Sequence, residues 1–277
     1  MSGWQLTLKQ TPTLRLDLRR VAPLALAALD AAGVAAIELW HGNERGALGD
    51  WFDIAAIDTD GELLVRGDLS RCDRIGQGMA GGRLEVEGSV GDWFAAGLAG
   101  GEVHLCGNAG RLAACAMQGG ELSVQGDLGD HGCGALPGDM DGLRGGTVVV
   151  HGSVGARFGD RMRRGTVLIG GDAGDFLASR MVAGTIALAG RCGAHPGYLQ
   201  RRGSLVFAGA QPEAPASFVP AHGEATVAGQ LLAREIARLA HHHGLDEAFA
   251  TLAARRSTRL RGDLAVDGRG EWWLAGS

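Results

Sequence analysis

Apolar and polar residues alternate in eight short stretches between Leu63 and Phe207. The apolar positions are Leu63/Val65, Leu84/Val86, Val103/Leu105, Leu122/Val124, Val148/Val150, Val167/Ile169, Ile186/Leu188 and Leu205/Phe207. Each pair is two residues apart and many members are β-branched, so each predicts a strand with both side chains on one face. Every stretch opens just after a glycine: Gly61, Gly82, Gly101, Gly120, Gly146, Gly165, Gly184 and Gly203. Most units are 19 residues long; the first has 21 and the fourth 26, its surplus falling in "HGCGALPGDMDGLRG". Further glycines stand six and nine positions after most starts, as in Gly88/Gly91, Gly107/Gly110 and Gly171/Gly174, and Ser70 breaks the rule in the first unit. After the second glycine comes Asp68, Ser89, Asn108, Asp127, Ser153 or Asp172, expected to turn the chain by bonding their own backbone. Met79, Leu98, Met117, Leu143, Met162 and Met181 supply one more inward position near the end of each unit.

A unit of one strand, a glycine-flanked corner and one further apolar point cannot close a core alone. Stacked, equivalent strands lie roughly 4.8 Å apart and their apolar columns merge. The expected fold is all-β: a right-handed parallel β-helix of about eight coils, roughly 38 Å long by that spacing. Glycine then suits corners that need positive φ or close backbone approach. A leucine-rich horseshoe would need more leucine and an asparagine column. Glycine at this density excludes helical repeats.

Open ends of such a stack expose strand edges and need caps. Three segments are therefore expected: residues 1–60 as an α/β N-terminal cap, 61–210 as the β-helix, and 211–277 as a C-terminal linker, helices and terminal strand. In the first, "WQLTLK" and "TLRLDL" alternate like strands. "VAPLALAALDAAG" reads as a short helix ended by Gly33, and "AIELWHGNERGALGDWFDI" as strand, turn, strand. In the last, "ATVAGQLLAREIARLAHHHGLDEAFATLAARR" reads as helical, with Leu232, Ile236 and Leu239 on one face and Gly244 as a stop. The linker "GAQPEAPASFVP" carries three prolines and is not helix.

Composition sharpens this picture. Glycine supplies 48 of 277 residues, and aromatics only 5%, so the core is built from aliphatic side chains. A formal net charge of -5 gives no reason to expect nucleic acid. The 5 cysteines form no Cys-x-x-Cys pair and read as buried small hydrophobes of a cytoplasmic protein. The first ten residues lack the basic and apolar regions of a leader, and no apolar run reaches membrane-spanning length.

The outward strand positions change along the chain. They are Glu85, His104 and Ser123 in units two to four, then Val149, Leu168, Ala187 and Val206 in units five to eight. A strand apolar on both faces is covered on both, here by the C-terminal helix or by another protein. Charge divides too: residues 82–143 are mostly acidic, whereas 144–202 carry Arg144, Arg157, Arg161, Arg163, Arg164, Arg180, Arg191, Arg201 and Arg202. Glu102 and Glu121 fall on neighbouring strands, where like charges repel. Acidic and basic surfaces are expected to dock on different partners, with Val149, Leu168, Val206, Arg157, Arg161, Arg163 and Arg164 as candidate interface residues. A solvated stack with a dipolar charge pattern is the alternative.

Little points to catalysis, and no catalytic, cofactor-binding or metal-ligating residue is expected. His241, His242 and His243 splay around a helix axis and suit a helix C-terminus. His131, Cys133, Asp139 and Asp141 share the long insertion without matching ligands elsewhere. The many G-x-x-G matches are corners rather than phosphate loops. A carbohydrate-active β-helix enzyme would present aromatic platforms, but only Trp93, Phe94, Phe158, Phe176 and Tyr198 punctuate the units.

The glycine-punctuated repeat over about 61–209 resembles the β-helix domain of the large glutamate synthase subunit. The flanks "LWHGNERGALGDWFDI" and "RGDLAVDGRGEWWL" are similar to the C-type subunit of formylmethanofuran dehydrogenase. That resemblance implies a non-catalytic scaffold within a one-carbon enzyme complex. Its partners would be a hydrolase (A-type), a B-type and a formyltransferase (D-type) subunit. The complex would move formyl groups between tetrahydromethanopterin and a methanofuran-type carrier and release formate. Metals, molybdenum or tungsten pterin among them, and the carrier would reside in those partners, and none in this chain. Lys9 is the sole lysine and alanine is abundant, which leans toward the bacterial formyltransferase/hydrolase form. The alternatives are a subunit of a true molybdenum or tungsten dehydrogenase, or a glutamate-synthase-like component. The arginines at 157–164 and 201–202 would be free to touch an anionic carrier tail.

Overall fold

Eight strands form where the alternation places them: Glu62–Arg66, Arg83–Glu87, Glu102–Cys106, Glu121–Val124, Thr147–Val150, Thr166–Ile169, Thr185–Leu188 and Ser204–Phe207. The computed structural model describes residues 3–59, 61–221 and 226–276. Each repeat strand pairs with the next in parallel and in register, so that Val86, Leu105 and Val124 stand in one column. A second parallel ladder runs through the corners, from Leu69 to Val90, Ala109, Leu128, Val154, Ala173 and Cys192. Met79, Leu98, Met117, Leu143, Met162 and Met181 are all buried, as the inward position requires. Phe94, Ala113, Gly132, Phe158 and Leu177 occupy equivalent positions, and a Cβ on Gly132 would approach the Phe158 ring to 2.8 Å. Large and small residues thus alternate to fill one interior.

The corner glycines serve two separate needs. Gly107 has no positive φ, yet a Cβ there would lie 2.5 Å from the Gly88 carbonyl oxygen one repeat below. Gly120 adds a left-handed backbone (φ 82°) to a 2.7 Å approach to the Gly101 carbonyl. Glycine does not hold every left-handed position, however. Trp93, Ala95, Leu112, Ala114, Ala116, Phe176, Ala178 and Arg180 all have positive φ. These residues alternate along the chain, so their N–H groups point alternately to neighbouring repeats. Phe176 N–H donates to Ala194 O at 2.8 Å, and Ala178 N–H to Phe158 O at 2.8 Å. The hydrogen bonds of the stack hold in place a conformation that costs an L-residue about 1 kcal/mol or more.

Both ends of the stack are closed by strands that continue it and then reverse. Gly3–Leu8 lies parallel on the first repeat strand, with Leu6 opposite Val65, and its outer edge takes Phe52–Ile57 antiparallel. Gly270–Ala275 lies parallel on the eighth, with Trp272 opposite Leu205, and takes Ser257–Gly262 antiparallel, followed by Val219–Pro220. The result is one sheet of 13 strands beside a sheet of 4, in which three N-terminal strands pair with Cys72–Asp73 of the first repeat.

The N-terminal segment departs from expectation in detail. "VAPLALAALDAAG" makes two short helices, Pro23–Leu26 and Ala31–Ala35, and Gly33 lies inside the second, where its N–H donates to the Asp30 cap at 2.7 Å. "TLRLDL" contributes only Leu16–Asp17 as strand. After the hairpin Glu38–His41/Glu44–Ala47, a helical turn at Leu48–Trp51 precedes the last strand. At the other end the main helix runs Thr226–His242 and stops at Gly244 (φ 73°) as expected; Ala225 lies outside the described residues. No described helix is long and apolar enough to cross a membrane.

Candidate functional site

The outward middle position of every repeat strand lines up as a second column: Leu64, Glu85, His104, Ser123, Val149, Leu168, Ala187, Val206 and then Trp273 of the closing strand. Its apolar half lies beneath the C-terminal segment. Val149, Leu168, Ala187 and Val206 form one buried cluster with Ala233, Ile236 and Ala240 of the main helix and with Phe249, Leu252 and Trp273. Leu232 and Leu239 pack against it from the side. Gly229 lets the helix come close, because a Cβ there would lie 2.6 Å from the Trp273 ring. Val149, Leu168 and Val206 are therefore not partner-facing. The chain's own helix is the cover, and the three are 0%, 0% and 3% exposed.

The expected arginine surface is partly consumed inside the chain. Arg161 donates to the Asp139 carbonyl at 3.2 Å, and Arg163 pairs with Asp141, so both fasten the long insertion of the fourth unit. Arg180 grips the buried Asp160 through two hydrogen bonds, at 2.9 and 2.7 Å. Arg157 lies over the Phe176 ring at 4.7 Å. One ion pair, Arg163 with Asp141, thus joins the basic stretch to the acidic one. Arg144 and Arg164 are exposed and make no ion pair among the described residues. Arg201, Arg202 and Arg269 rim an open depression with Val266 and Asp267, and Arg259 and Arg261 line its neighbour. Sequence spacing cannot bring residues 201 and 269 together; only the closing strand does.

Glu102 and Glu121 are register partners as expected, but each faces a basic side chain. Arg83 reaches Glu102 at 3.7 Å, and His243 reaches Glu121 at 3.5 Å.

Titratable groups gather at the uncovered end of the outer column. His104 Nδ1 and Cys106 Sγ are 3.5 Å apart, and their ligand atoms lie within 4.8 Å of a Glu85 carboxylate oxygen. Glu121, His242 and His243 form a second such group. Gln125 Nε2 stands 3.4 Å from His104 Nε2 and 3.4 Å from His151 Nε2. Burial, followed by the charges of neighbouring histidines, lowers the His151 pKa; burial likewise lowers that of His243 against the pull of Glu121. Two sequence expectations fail here. His242 and His243 do converge: in the last turn of the helix their rings cross edge-on with centroids 4.8 Å apart, and each offers a ligand atom within 4.8 Å of a Glu121 carboxylate oxygen. Cys106 is exposed, whereas Cys72, Cys115 and Cys133 are buried and Cys192 is partly so. Burial pushes Cys72, Cys115 and Cys192 up to about 12 and Cys133 well above its ordinary value. In the insertion, Cys133 is buried in the core while Asp139 is exposed, so the two do not meet.

No family model matches the chain. It is 33% identical over 100 residues to the C-type subunit of the tungsten-containing formylmethanofuran dehydrogenase 2 of Methanothermobacter thermautotrophicus. It is 39% identical over 77 residues to the C-type subunit of the formyltransferase/hydrolase complex Fhc of Methylorubrum extorquens. These alignments cover 35% and 28% of this chain, and only 37% and 29% of the two relatives. A chain in the crystal structure of the formyltransferase/hydrolase complex (FhcABCD) from Methylorubrum extorquens, in complex with methylofuran, matches with a TM-score of 0.88. That match covers 99% of this chain and 100% of the other, at 37% identity.

Proposed function

The chain belongs to the family of formylmethanofuran dehydrogenase C-type subunits, and we propose that it is the non-catalytic scaffold subunit of a formyltransferase/hydrolase complex. That complex would pass formyl groups between tetrahydromethanopterin and a methanofuran-type carrier and release formate. The observation that carries this reading is the end-to-end match, at 37% identity, to a chain of a complex crystallised with methylofuran. Its partners are a hydrolase (A-type), a B-type and a formyltransferase (D-type) subunit, and it acts with them in the cytoplasm. The catalytic metals and the carrier belong to those partners.

The architecture that suits this role is a right-handed parallel β-helix over residues 61–210, between an N-terminal cap (1–60) and a C-terminal closing segment (211–277). Two parallel ladders on separate sides of each repeat support that reading. A stack so cross-linked is stiff and presents long edges, which is what a scaffold needs. The exposed arginines, Arg144 and Arg164 beside the depression of Arg201, Arg202 and Arg269, are the surface best suited to an acidic partner.

A second reading, membership of a tungsten or molybdenum dehydrogenase, is favoured by the 33% identity to the C-type subunit of the tungsten enzyme. One experiment separates them. The tagged chain is purified from its native host and its companions are weighed by mass spectrometry. Three companions whose complex has hydrolase and transferase activity but no tungsten or molybdenum support the scaffold reading. A tungsten- or molybdenum-bearing companion supports the second, and a chain that elutes alone as a monomer overturns both.

A further inference from the structure

The end of the main helix meets the outer face of the fourth repeat strand at one unusual contact. The His243 side chain is only 6% exposed, yet its Nε2 has no hydrogen-bond partner. A buried polar atom left in that state costs about 1–3 kcal/mol, so something should occupy the space it faces. What it faces is the Glu121 carboxylate, whose Oε1 lies 3.5 Å away. Two ligands about 2.0–2.2 Å from one tetrahedral metal sit about 3.3–3.6 Å apart, which matches that distance. His242 completes the group: its ring crosses that of His243 edge-on with centroids 4.8 Å apart, and it is exposed and free to rotate.

We propose that Glu121, His242 and His243 bind a zinc ion, which fastens the end of the C-terminal helix to the fourth repeat. Two imidazoles and one carboxylate are a borderline donor set that suits zinc and disfavours calcium or magnesium. The fourth position opens to solvent. The neighbouring group of Glu85, His104 and Cys106 is the weaker candidate. There the His104 Nδ1 already contacts the Cys106 thiol at 3.5 Å, and no buried atom is left without a partner.

The two groups differ in chemistry, which makes the proposal testable on the full-length chain. The chain is stripped with EDTA and titrated with cobalt(II) as a spectroscopic substitute for zinc, then with zinc in competition. The expected result is one ion per chain with tetrahedral cobalt absorption and no thiolate-to-cobalt charge-transfer band. Glu121→Gln and His242→Ala should each weaken binding at least tenfold, while Cys106→Ser leaves it unchanged. His242 is exposed, so its replacement spares the fold, and far-ultraviolet circular dichroism checks this. Zinc should also raise the melting temperature of the native chain but not that of His242→Ala. Absence of binding, a charge-transfer band that vanishes in Cys106→Ser, or variants that bind as tightly as the native chain would each overturn the assignment.

Discussion

The Asn108 side chain accepts a hydrogen bond from the backbone N–H of Asp127, its own counterpart one repeat on, at 2.8 Å. Asp127 in turn accepts from Ser153 N–H at 2.6 Å, Ser153 from Asp172 at 3.0 Å, and Asp172 from Arg191 at 2.7 Å. A second ladder links Asp73 to Asp92 N–H and Asp92 to Arg111 N–H, at 2.8 and 2.9 Å. Each short polar side chain thus caps the next repeat. Only Asp68 bonds locally as first expected, through Ser70 N–H and Oγ, and it also accepts from Thr11 Oγ1 at 3.1 Å. Replacing Asn108 by Ala should cost about 0.5–1.5 kcal/mol, the net worth of one hydrogen bond at an exposed corner. Asn108→Asp keeps an acceptor and should cost much less. Urea unfolding followed by circular dichroism compares the two, and equal losses would refute the ladder.

Glycine substitutions should separate crowding from backbone strain. Gly107→Ala drives a Cβ against the Gly88 carbonyl and should cost about 1–3 kcal/mol by overpacking, or more if the stack cannot spread. Gly138 has φ 92°, and a Cβ added there would meet nothing within 4 Å, so Gly138→Ala should lose only about 1 kcal/mol from backbone strain. Melting temperatures that rank the two in the opposite order would contradict the stacking argument.

Burial under the helix and exposure at the edge predict opposite behaviour for two former interface candidates. Leu168→Ala should destabilise the isolated chain by about 2–5 kcal/mol through a cavity. Arg164→Ala should leave its unfolding midpoint within about 0.5 kcal/mol and instead weaken assembly with an acidic partner. Denaturation of the single chain and pull-down from the assembled complex measure the two effects separately.

Thiol chemistry should be selective. Cys106 is the one exposed cysteine, so brief treatment with a maleimide at neutral pH should label it first. Cys72, Cys115 and Cys133 should react only after unfolding. Peptide mapping by mass spectrometry reads the sites directly, and rapid labelling of Cys133 would mean that the core is open.

Acid should release one contact in the N-terminal segment. Burial raises the Asp17 pKa, but hydrogen bonds from Arg19 and the charges of Arg19 and Arg74 outweigh it and hold the carboxyl below its ordinary value. A lowered folded-state pKa contributes stability that is fully present above the unfolded value of about 3.9 and fades as pH falls through the folded one. Asp17→Asn should therefore be less stable than the native chain at neutral pH, and the gap should close below about pH 4. Urea midpoints across that range test it; a gap that widens in acid would reverse the sign.

The strands were legible because period-two alternation and glycine spacing repeat eight times over, so that chance matches average out. The cap at 1–60 was read less well: its elements are short and occur once, and local propensity there yields to packing against the first repeat. Left-handed Trp93, Leu112 and Phe176 carry no local signal at all, since only hydrogen bonds from neighbouring repeats hold that backbone. The apolar outward column of Val149, Leu168 and Val206 announced a cover. Its identity needed the fold, which lays residues 226–252 across it. The meeting of Glu121 with His242 and His243 was hidden for the same reason: more than a hundred residues separate them, and only the packing of the helix on the outer column brings its last turn to the fourth repeat strand.

The reversed strands at the two ends have a further consequence. Gly3–Leu8 and Gly270–Ala275 each add one layer in step with the repeats, and the strands outside them run the other way. The parallel register of the repeats ends there, whatever the number of layers between. A duplicated unit would leave both terminators intact and move them apart by roughly 4.8 Å. The molecule is thereby a gauge block, whose thickness genetic duplication can change one notch at a time while the same strands stay outermost.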